Sequence, residues 1–231
     1  MNQKTVEKIL QDTEQGYDIM AEKFSQTRKY FWRGLEFIAD YAKNGNDVLD
    51  FGCGNGRLLE LFPDRDINYL GTDVSEKLIR IAKERYPNEK YKFRKISGFG
   101  SLALPEDSFN SVFSVAVFHH LPSRELRLKI AKELFSTLKP GGAIVITVWN
   151  LWQKKYFKNI LSNWIDKIFG KSDMGWNDCY VTFKNNQGEI FNRYHHALTL
   201  GELKYIFEEA GFAIEKCEII NKRNILLIGR K

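Results

Sequence analysis

Residues 48–62, VLDFGCGNGRLLELF, decide the fold. The first four are mostly apolar and predict a buried strand, and the last six carry apolar residues at helix spacing. Between them, Gly52, Gly54 and Gly56 let the backbone turn sharply and approach a ligand without a Cβ collision. The spacing G-x-G-x-G differs from the G-x-G-x-x-G that seats a dinucleotide pyrophosphate on a helix N-terminus. The stretch therefore predicts a strand–loop–helix unit and disfavours a nicotinamide oxidoreductase.

Two acidic residues accompany this loop. Asp50 ends the first strand directly before the glycines, where a carboxylate suits the cationic amino group of a methionine moiety and would repel a pyrophosphate. Asp73 closes the next predicted strand, where an acid can accept hydrogen bonds from both hydroxyls of a ribose. We therefore predict that both carboxylates and the loop glycines bind the same ligand.

Beyond the loop, short apolar runs alternate with helical patterns, which indicates repeated strand–helix units and a mostly parallel sheet. The predicted strands are 46–51, 67–73, 91–96, 111–117 and 143–149, and the predicted helices are 57–62, 76–86, 123–138 and 200–210. Thr199 and Glu202 form a capping box for the last helix. Two further strands, 212–220 and 225–231, are joined by only four residues and predict an antiparallel hairpin. The expected fold is α/β, with a seven-stranded sheet ending in that hairpin.

We expect one domain over residues 1–231. It divides into an N-terminal helical cap (1–45), a ligand-binding core (46–149), an insertion (150–192) and a C-terminal helix with the hairpin (193–231). The cap has an apolar face of Trp32, Leu35, Ile38, Ala39 and Ala42. The insertion also has an apolar face, which we expect to pack on the core and which consists of Phe157, Leu161, Trp164, Ile165 and Ile168. Cap and insertion should cover the carboxyl edge of the sheet, where open α/β folds bind ligands.

Composition indicates where in the cell the protein is expected. No run approaches 18 uninterrupted apolar residues, so we expect no membrane span, and the polar N-terminus predicts neither a signal nor a transit peptide. Three widely spaced cysteines indicate reduced thiols and a cytoplasmic location. The net charge of +6 fits a polyanionic partner.

The glycine loop and its two acids resemble those of the class I S-adenosylmethionine methyltransferases, over about residues 46–149. The resemblance implies a Rossmann-like fold, S-adenosylmethionine as cofactor, and Val117 beside the transferable methyl group. Many relatives carry an acid after the third strand that contacts adenine, whereas this chain has Ser97, Gly98 and Phe99 there. Adenine contact would then come from the backbone or from Phe99.

The histidines form two adjacent pairs, His119-His120 and His195-His196. The first pair ends the fourth strand, where it is either a general base or substrate contact, or simply a polar strand end. No carboxylate or cysteine stands at ligand spacing from either pair, so we predict no metal site. Cys53 lies in the glycine loop as a small buried residue, so a cysteine nucleophile for pyrimidine C5 methylation is excluded.

A second resemblance covers most of the chain. It is a similarity to the tRNA wobble-uridine carboxymethyl methyltransferases, in the stretches 16–32, 114–127, 145–153 and 191–203. The Phe-Ser-x-Thr-Arg element of that family falls on residues 24–28. Its Arg-Tyr-Tyr-His element falls on residues 193–196, where His195 replaces the second tyrosine. The family esterifies the carboxylate of 5-carboxymethyluridine. Arg28 and Arg193 are then candidate carboxylate anchors, with His119 and His196 as further candidate catalytic residues.

The same resemblance implies tRNA as substrate and a small activating protein as partner, and it leaves the oligomeric state open. Two other functions remain. One is a methyltransferase for a small carboxylate or another metabolite, because this core serves many acceptors. The other is a non-catalytic module that binds S-adenosylmethionine or RNA.

Overall fold

The strands of the main sheet follow the order β3-β2-β1-β4-β5-β9-β8, and β6 pairs with β7 in a separate two-stranded ribbon. This computed structural model describes residues 1–97 and 101–231. The strands are β1 (Asp47–Phe51), β2 (Asn68–Asp73), β3 (Tyr91–Lys95), β4 (Phe109–Val115), β5 (Leu138–Trp149), β6 (Asp178–Lys184), β7 (Ile190–His196), β8 (Ala213–Ile220) and β9 (Asn224–Arg230). The helices are α1 (Gln3–Thr27), α2 (Glu76–Arg85), α3 (Arg124–Thr137), α4 (Lys154–Ile168) and α5 (Leu200–Glu209).

The main sheet confirms the expected fold class. Strands β1 to β5 pair in parallel, and β9 pairs antiparallel with both β5 and β8, so the predicted hairpin closes the sheet. The chain leaves β1 toward β2 on one side and reaches β4 on the other side. The strand order therefore reverses at β1, and a crevice opens there at the carboxyl ends of β1 and β4.

Side chains of β5 point alternately to the two faces of the sheet, and both faces are covered. Ile144, Ile146 and Val148 pack in one apolar layer with α3 and α5, whereas Val145 packs in the other with β1 and α2 residues. All four side chains are fully buried, which matches the near-continuous apolar run typical of a central strand.

Three helices begin at or next to the residues predicted from the sequence, and each has a side-chain cap. Ser75 Oγ accepts a hydrogen bond from Leu78 N–H, and Ser123 Oγ accepts from Leu126 N–H. Thr199 Oγ1 accepts from the Glu202 backbone N–H, so half of the predicted capping box forms. The Glu202 carboxylate does not complete the box, because it turns to His196 and Arg127 instead.

Several local predictions need correction. The segment after the glycine loop is a 3-10 helix, Arg57–Leu61, and a second 3-10 helix, Glu36–Tyr41, replaces the amphipathic helix expected in the cap. The apolar face expected to bury α4 is largely exposed: Phe157, Leu161, Ile165 and Ile168 are all more than a third exposed. The helix packs on β6 through Ile160 and Asn163 instead.

The insertion forms α4 and the ribbon of β6 and β7. Strand β7 crosses the boundary that the sequence suggested at residue 192, so Arg193 to His196 belong to the ribbon rather than to the C-terminal helix and hairpin. Within the described residues, no helix has both the length and the apolarity that a membrane crossing needs.

Candidate active site

A cavity lies at the carboxyl ends of β1 and β4. Its floor is the glycine loop and the end of β4, and its roof comes from α1 and the ribbon. The lining residues include Tyr17, Phe24, Arg28, Trp32, Gly52, Gly54, Arg57, Asp73, Val117, His119, His120, Trp149 and Arg193. Most of the lining surface is apolar with a few polar groups, which is typical of a small-molecule site.

The glycine loop forms the floor as predicted. Gly52 has a φ of 78°, and a Cβ added there would lie 2.2 Å from Val117 Cγ2. Any side chain at Gly52 would therefore be both strained and in collision with the end of β4. Gly52, Gly54 and Val117 line the cavity, whereas Gly56 lies behind them, against Tyr86 and Phe93.

The two predicted carboxylates take different positions. Asp73 lines the cavity, and backbone N–H groups fix it: Gly54 donates to Oδ2 at 2.8 Å and Ser75 donates to Oδ1 at 2.9 Å. Asp50 is 2% exposed and lies behind the loop, where its Oδ2 accepts a hydrogen bond from the Tyr69 hydroxyl at 2.6 Å. Burial raises the pKa of Asp50 to about 7. The structure thus brings Asp73 to the cavity wall and keeps Asp50 out of it.

Three guanidinium groups, those of Arg28, Arg57 and Arg193, line the same cavity. Arg193 is 5% exposed, and its guanidinium carbon lies 5.3 Å from the ring centroids of both Trp149 and Phe183. In the part of the chain that the structure describes, none of the three makes an ion pair with a carboxylate. Sequence reasoning missed Arg57, although it directly follows the glycine loop. A buried cation without a counterion is costly, so these groups indicate anionic ligands.

Histidines 119, 120 and 195 cluster beside Arg193, and their ring nitrogens come within 4.8 Å of one another. The backbone N–H of Trp149 donates to His119 Nδ1 at 3.2 Å, so the neutral His119 ring carries its proton on Nε2. Among the described residues that Nε2 has no partner. Burial, His120, His195 and Arg193 hold the pKa of His119 well below its usual range. His119 is therefore a poor general base and a neutral hydrogen-bond donor.

The protonation of the ring nitrogens also decides which of these histidines could ligate a metal. His120 Nδ1 faces the Tyr194 carbonyl at 2.8 Å and His195 Nδ1 faces the Arg193 carbonyl at 2.9 Å, so both rings carry the proton on Nδ1. The Nε2 lone pair of His195 has no partner among the described residues, whereas that of His120 accepts a hydrogen bond from the Tyr17 hydroxyl at 2.8 Å. His119 offers no lone pair, because its Nδ1 accepts from the Trp149 backbone N–H and its Nε2 is protonated. Arg193 adds positive charge next to the cluster. The absence of a metal site stays a prediction, and the spacing of the histidines in the sequence did not reveal this three-histidine cluster.

His196, predicted as a catalytic candidate, has a structural position instead. Its Nδ1 lies 2.6 Å from Asp178 Oδ1 and its Nε2 lies 2.9 Å from Glu202 Oε1. Arg127, 3% exposed, pairs with the same Glu202 carboxylate at 3.1 Å. These four residues, here called the His196 network, tie the ribbon to α3 and α5. His196 does not line the cavity, and both of its ring nitrogens are used in this network.

Comparison with known proteins agrees with this geometry. A family model described as a methyltransferase domain matches residues 23–216. The chain belongs to the methyltransferase domain family. It is an enzyme that uses S-adenosylmethionine as its cofactor. The recognition of the fold, the cofactor and the enzyme class from the sequence is thereby confirmed.

The family members most similar in sequence include tRNA (carboxymethyluridine(34)-5-O)-methyltransferases. The Schizosaccharomyces pombe protein is 29% identical over 219 residues, covering 87% of this chain and 88% of its own length. The Arabidopsis thaliana protein is 33% identical over 150 residues, which are 64% of this chain. The chain spans only 34% of the Arabidopsis relative and 21% of the mouse relative that it matches.

Solved methyltransferase structures share the fold. A Methanosarcina mazei S-adenosylmethionine-dependent methyltransferase superposes with a TM-score of 0.69 at 23% identity, covering 87% of this chain and 98% of that chain. A putative methyltransferase solved in complex with the Haloferax volcanii Trm112 activator gives a TM-score of 0.67 at 16% identity, covering 94% and 96%.

The methyltransferase cavity fits this cofactor. If the cofactor binds in this cavity, the Asp73 carboxylate would accept hydrogen bonds from the ribose hydroxyls, and Val74, Leu78 and Ile96 would form an apolar wall for the adenine ring. Gly52 and Gly54 would then lie under the methionine half. Phe99, predicted as an adenine contact, lies outside the described residues.

Asp73→Ala is expected to weaken binding of S-adenosylmethionine by about 1–3 kcal/mol, because charge-assisted hydrogen bonds to the ribose are lost. Titration calorimetry with the cofactor measures this directly. Asp66→Ala, which removes an exposed carboxylate from the Lys90 ion pair, is the matched control and should leave the affinity unchanged. Equal affinities in the two variants would remove Asp73 from the binding site.

Proposed function

We propose that this methyltransferase esterifies the carboxylate of a 5-carboxymethyl wobble uridine in tRNA. The observation that carries the proposal is Arg193, a buried guanidinium held between two aromatic rings at the methyl-donor cavity, with no acidic partner in the described chain. Planar guanidinium groups bind carboxylates through two parallel hydrogen bonds. The names of the relatives supply the carboxylate-bearing nucleoside.

The chemistry needs little more than this anchor. A carboxylate is already the nucleophile at neutral pH, so no residue has to remove a proton from it. Bound S-adenosylmethionine supplies an electrophilic methyl group on a sulfonium. The protein then has to hold one carboxylate oxygen in line with that methyl group and to exclude water. Arg193 orients the carboxylate, and the unpaired Nε2–H of His119 can donate to its second oxygen.

The deciding experiment uses tRNA with and without the carboxymethyl group. Matched tRNAs are incubated with the enzyme and isotope-labelled cofactor, and their nucleosides are separated by mass spectrometry. We expect label as the methyl ester of 5-carboxymethyluridine and none in the unmodified tRNA. Equal labelling of both tRNAs would refute the carboxylate acceptor. Labelling of a free carboxylate metabolite in a tRNA-free extract would favour the metabolite alternative, which the same Arg193 anchor could serve.

A tRNA substrate also predicts salt-sensitive binding. Helix α4 and the turn after it carry Lys154, Lys155, Lys158, Lys167 and Lys171, none of which pairs with a carboxylate in the described chain. If about four phosphates are contacted, the log–log plot of affinity against salt should have a slope of about −3 for single-stranded regions. Fluorescence anisotropy with an anticodon stem-loop measures it.

Replacing Lys154, Lys155 and Lys158 by Gln should make that slope shallower by about 2. The control replaces Lys204 and Lys216, which pair with Glu208 and Glu218 elsewhere on the surface, and should leave the slope unchanged. A slope near zero for the unmodified enzyme would contradict RNA binding.

A small activating protein remains part of the proposal, supported by the Trm112 complex among the structural neighbours. Turnover of the purified chain alone, compared with turnover after addition of a candidate activator, tests whether it is needed.

A further inference from the structure

Helix α4 and the turn after it expose a continuous apolar surface. Ile168 is 70% exposed, Phe169 71% and Trp176 56%, although side chains of this size usually lie in the core. Trp164 joins the aromatic part of this surface, because its ring packs edge-on against Phe157 at 6.0 Å and its Nε1–H donates to the Trp176 carbonyl at 2.7 Å. These side chains, here called the α4 patch, are Phe157, Leu161, Trp164, Ile165, Ile168, Phe169 and Trp176.

The rest of the described chain leaves the α4 patch largely uncovered. Helix α4 packs on β6 through Ile160 and Asn163, which lie on a different side of the helix. Positions 157, 161, 165 and 168 follow one another at intervals of three or four residues, so their side chains share one face. Scattered apolar side chains are ordinary on a protein surface, whereas a contiguous group of this size marks a surface that binds a partner.

Lysines accompany the α4 patch. The Nζ atom of Lys167 lies 5.4 Å from the ring centroid of Trp176, and that of Lys171 lies 6.0 Å from the ring centroid of Phe169. Residues 154–176 contain five lysines and only two aspartates. The surface is therefore both apolar and positively charged, so its partner has to be anionic and has to accept apolar side chains.

Three kinds of partner can be compared with these two properties. A second copy of the chain fits poorly, because pairing the same surface of two molecules would bring the lysines of both together. Nucleic acid matches the charge, but Leu161, Ile165 and Ile168 offer no flat ring on which a base could stack. The interface of an anionic lipid bilayer matches both properties, because it attracts lysines and takes up Trp, Phe, Leu and Ile side chains at the headgroup boundary.

We propose that the α4 patch binds the surface of anionic membranes, with α4 lying along the interface and with Ile168 and Phe169 inserted deepest. The contact is peripheral, because α4 has 15 residues and a spanning helix needs about 20. The lysine ammonium groups stay in water while their stems follow the inserted side chains. This binding does not depend on the identity of the methyl acceptor. Vesicles and tRNA should compete, because the lysines of α4 attract either polyanion.

Flotation of the full chain with lipid vesicles tests the membrane contact. Vesicles of phosphatidylglycerol and phosphatidylcholine in equal parts should carry the enzyme upward, and vesicles of phosphatidylcholine alone should carry much less. Ile168→Ser/Phe169→Ser should lower the partition coefficient on the anionic vesicles by at least about 30-fold, because two apolar side chains no longer enter the interface. Tyr205→Ser/Ile219→Ser is the matched control, because it removes two exposed apolar side chains from other surfaces, and it should keep full binding.

A fluorescence measurement separates insertion from adsorption by charge alone. Anionic vesicles with brominated acyl chains should quench the tryptophan fluorescence of the unmodified enzyme, and Trp176→Phe should lose most of that quenching. The proposal is overturned if anionic vesicles do not bind the enzyme, or if they bind Ile168→Ser/Phe169→Ser equally well. Loss of anticodon stem-loop affinity in that double variant, with vesicle binding kept, would instead assign the α4 patch to RNA. A dimer in sedimentation velocity that the same variant abolishes would assign it to a second copy of the chain.

Discussion

Arg193→Met is expected to lower turnover on tRNA that carries the carboxymethyl group by about 100-fold or more, because one misplaced carboxylate oxygen loses the in-line geometry. Cofactor affinity should change much less than turnover, since Arg193 stands on β7 and not on the glycine loop or β2. Arg193→Lys should recover little, because an ammonium cannot reproduce a planar two-bond clamp and cannot stack between Trp149 and Phe183 in the same way. Single-turnover kinetics with labelled cofactor measure the chemical step.

Removing a positive charge can also weaken RNA binding in general, so a charge control is needed. Arg124→Met removes one guanidinium from a surface ion pair with Glu209 and should leave turnover almost unchanged. If both arginine variants lose activity equally, the effect is electrostatic attraction of tRNA and not carboxylate positioning. Full activity of Arg193→Met would place the acceptor anchor elsewhere.

The second large effect concerns stability and comes from the His196 network. Asp178 is 1% exposed and is held by the Gly175 N–H as well as by His196. Asp178→Ala leaves His196 buried without its strongest partner, so the free energy of unfolding should fall by about 3–5 kcal/mol. Urea denaturation measures the change. Asp12→Ala, which breaks the exposed Lys8–Asp12 pair on α1, is the control and should have almost no effect.

The network also predicts how this stability depends on pH. Burial lowers the pKa of His196, but hydrogen bonds to Asp178 and Glu202 outweigh it, so the folded-state pKa is raised. The stabilisation from a charged His196 is therefore complete below the unfolded value of about 6.5 and is lost as the pH rises through the higher folded value. Burial opposes ionisation of Asp178 and Glu202, yet the hydrogen bonds and charge of His196 lower both pKa values. Their contribution is present above their unfolded values of about 4 and is lost as the pH falls.

The difference in unfolding free energy between the unmodified enzyme and His196→Gln should consequently be greatest near pH 5–6.5 and should shrink on either side. Chemical denaturation across about pH 3 to 9 gives this profile. A difference that does not change with pH would mean that His196 stays neutral in the folded protein.

The parts of this fold that could be predicted from sequence are those set by local chemistry. The strand–loop–helix order around the glycines follows from apolar runs and positive-φ glycines, and the closing hairpin follows from a four-residue connection. Ser75 and Thr199 cap the helices that they precede because capping involves residues only three positions apart. In the site, the residues predicted from sequence that reach the cavity are Gly52, Gly54, Asp73, Arg28, Val117, His119 and Arg193, whereas Gly56 does not.

The features that could not be predicted from the sequence depend on contacts between distant segments. His196 was placed among the catalytic candidates because nothing local reveals that Asp178 and Glu202 would meet its two ring nitrogens. Asp50 was expected in the site, but Tyr69 from the adjacent strand holds its carboxylate behind the loop. The apolar spacing of α4 is real, yet periodicity alone does not tell which face of a helix the rest of the protein covers.

The ribbon of β6 and β7 has a consequence for how such enzymes diversify. In the described part of the chain, no backbone ladder joins it to the seven-stranded sheet. An insertion or deletion in the ribbon therefore leaves the register of the sheet, and with it the glycine loop, unchanged. If Arg193 on this ribbon anchors the acceptor as proposed, substitutions and length changes in the ribbon would change the methyl acceptor while the binding of the methyl donor is retained.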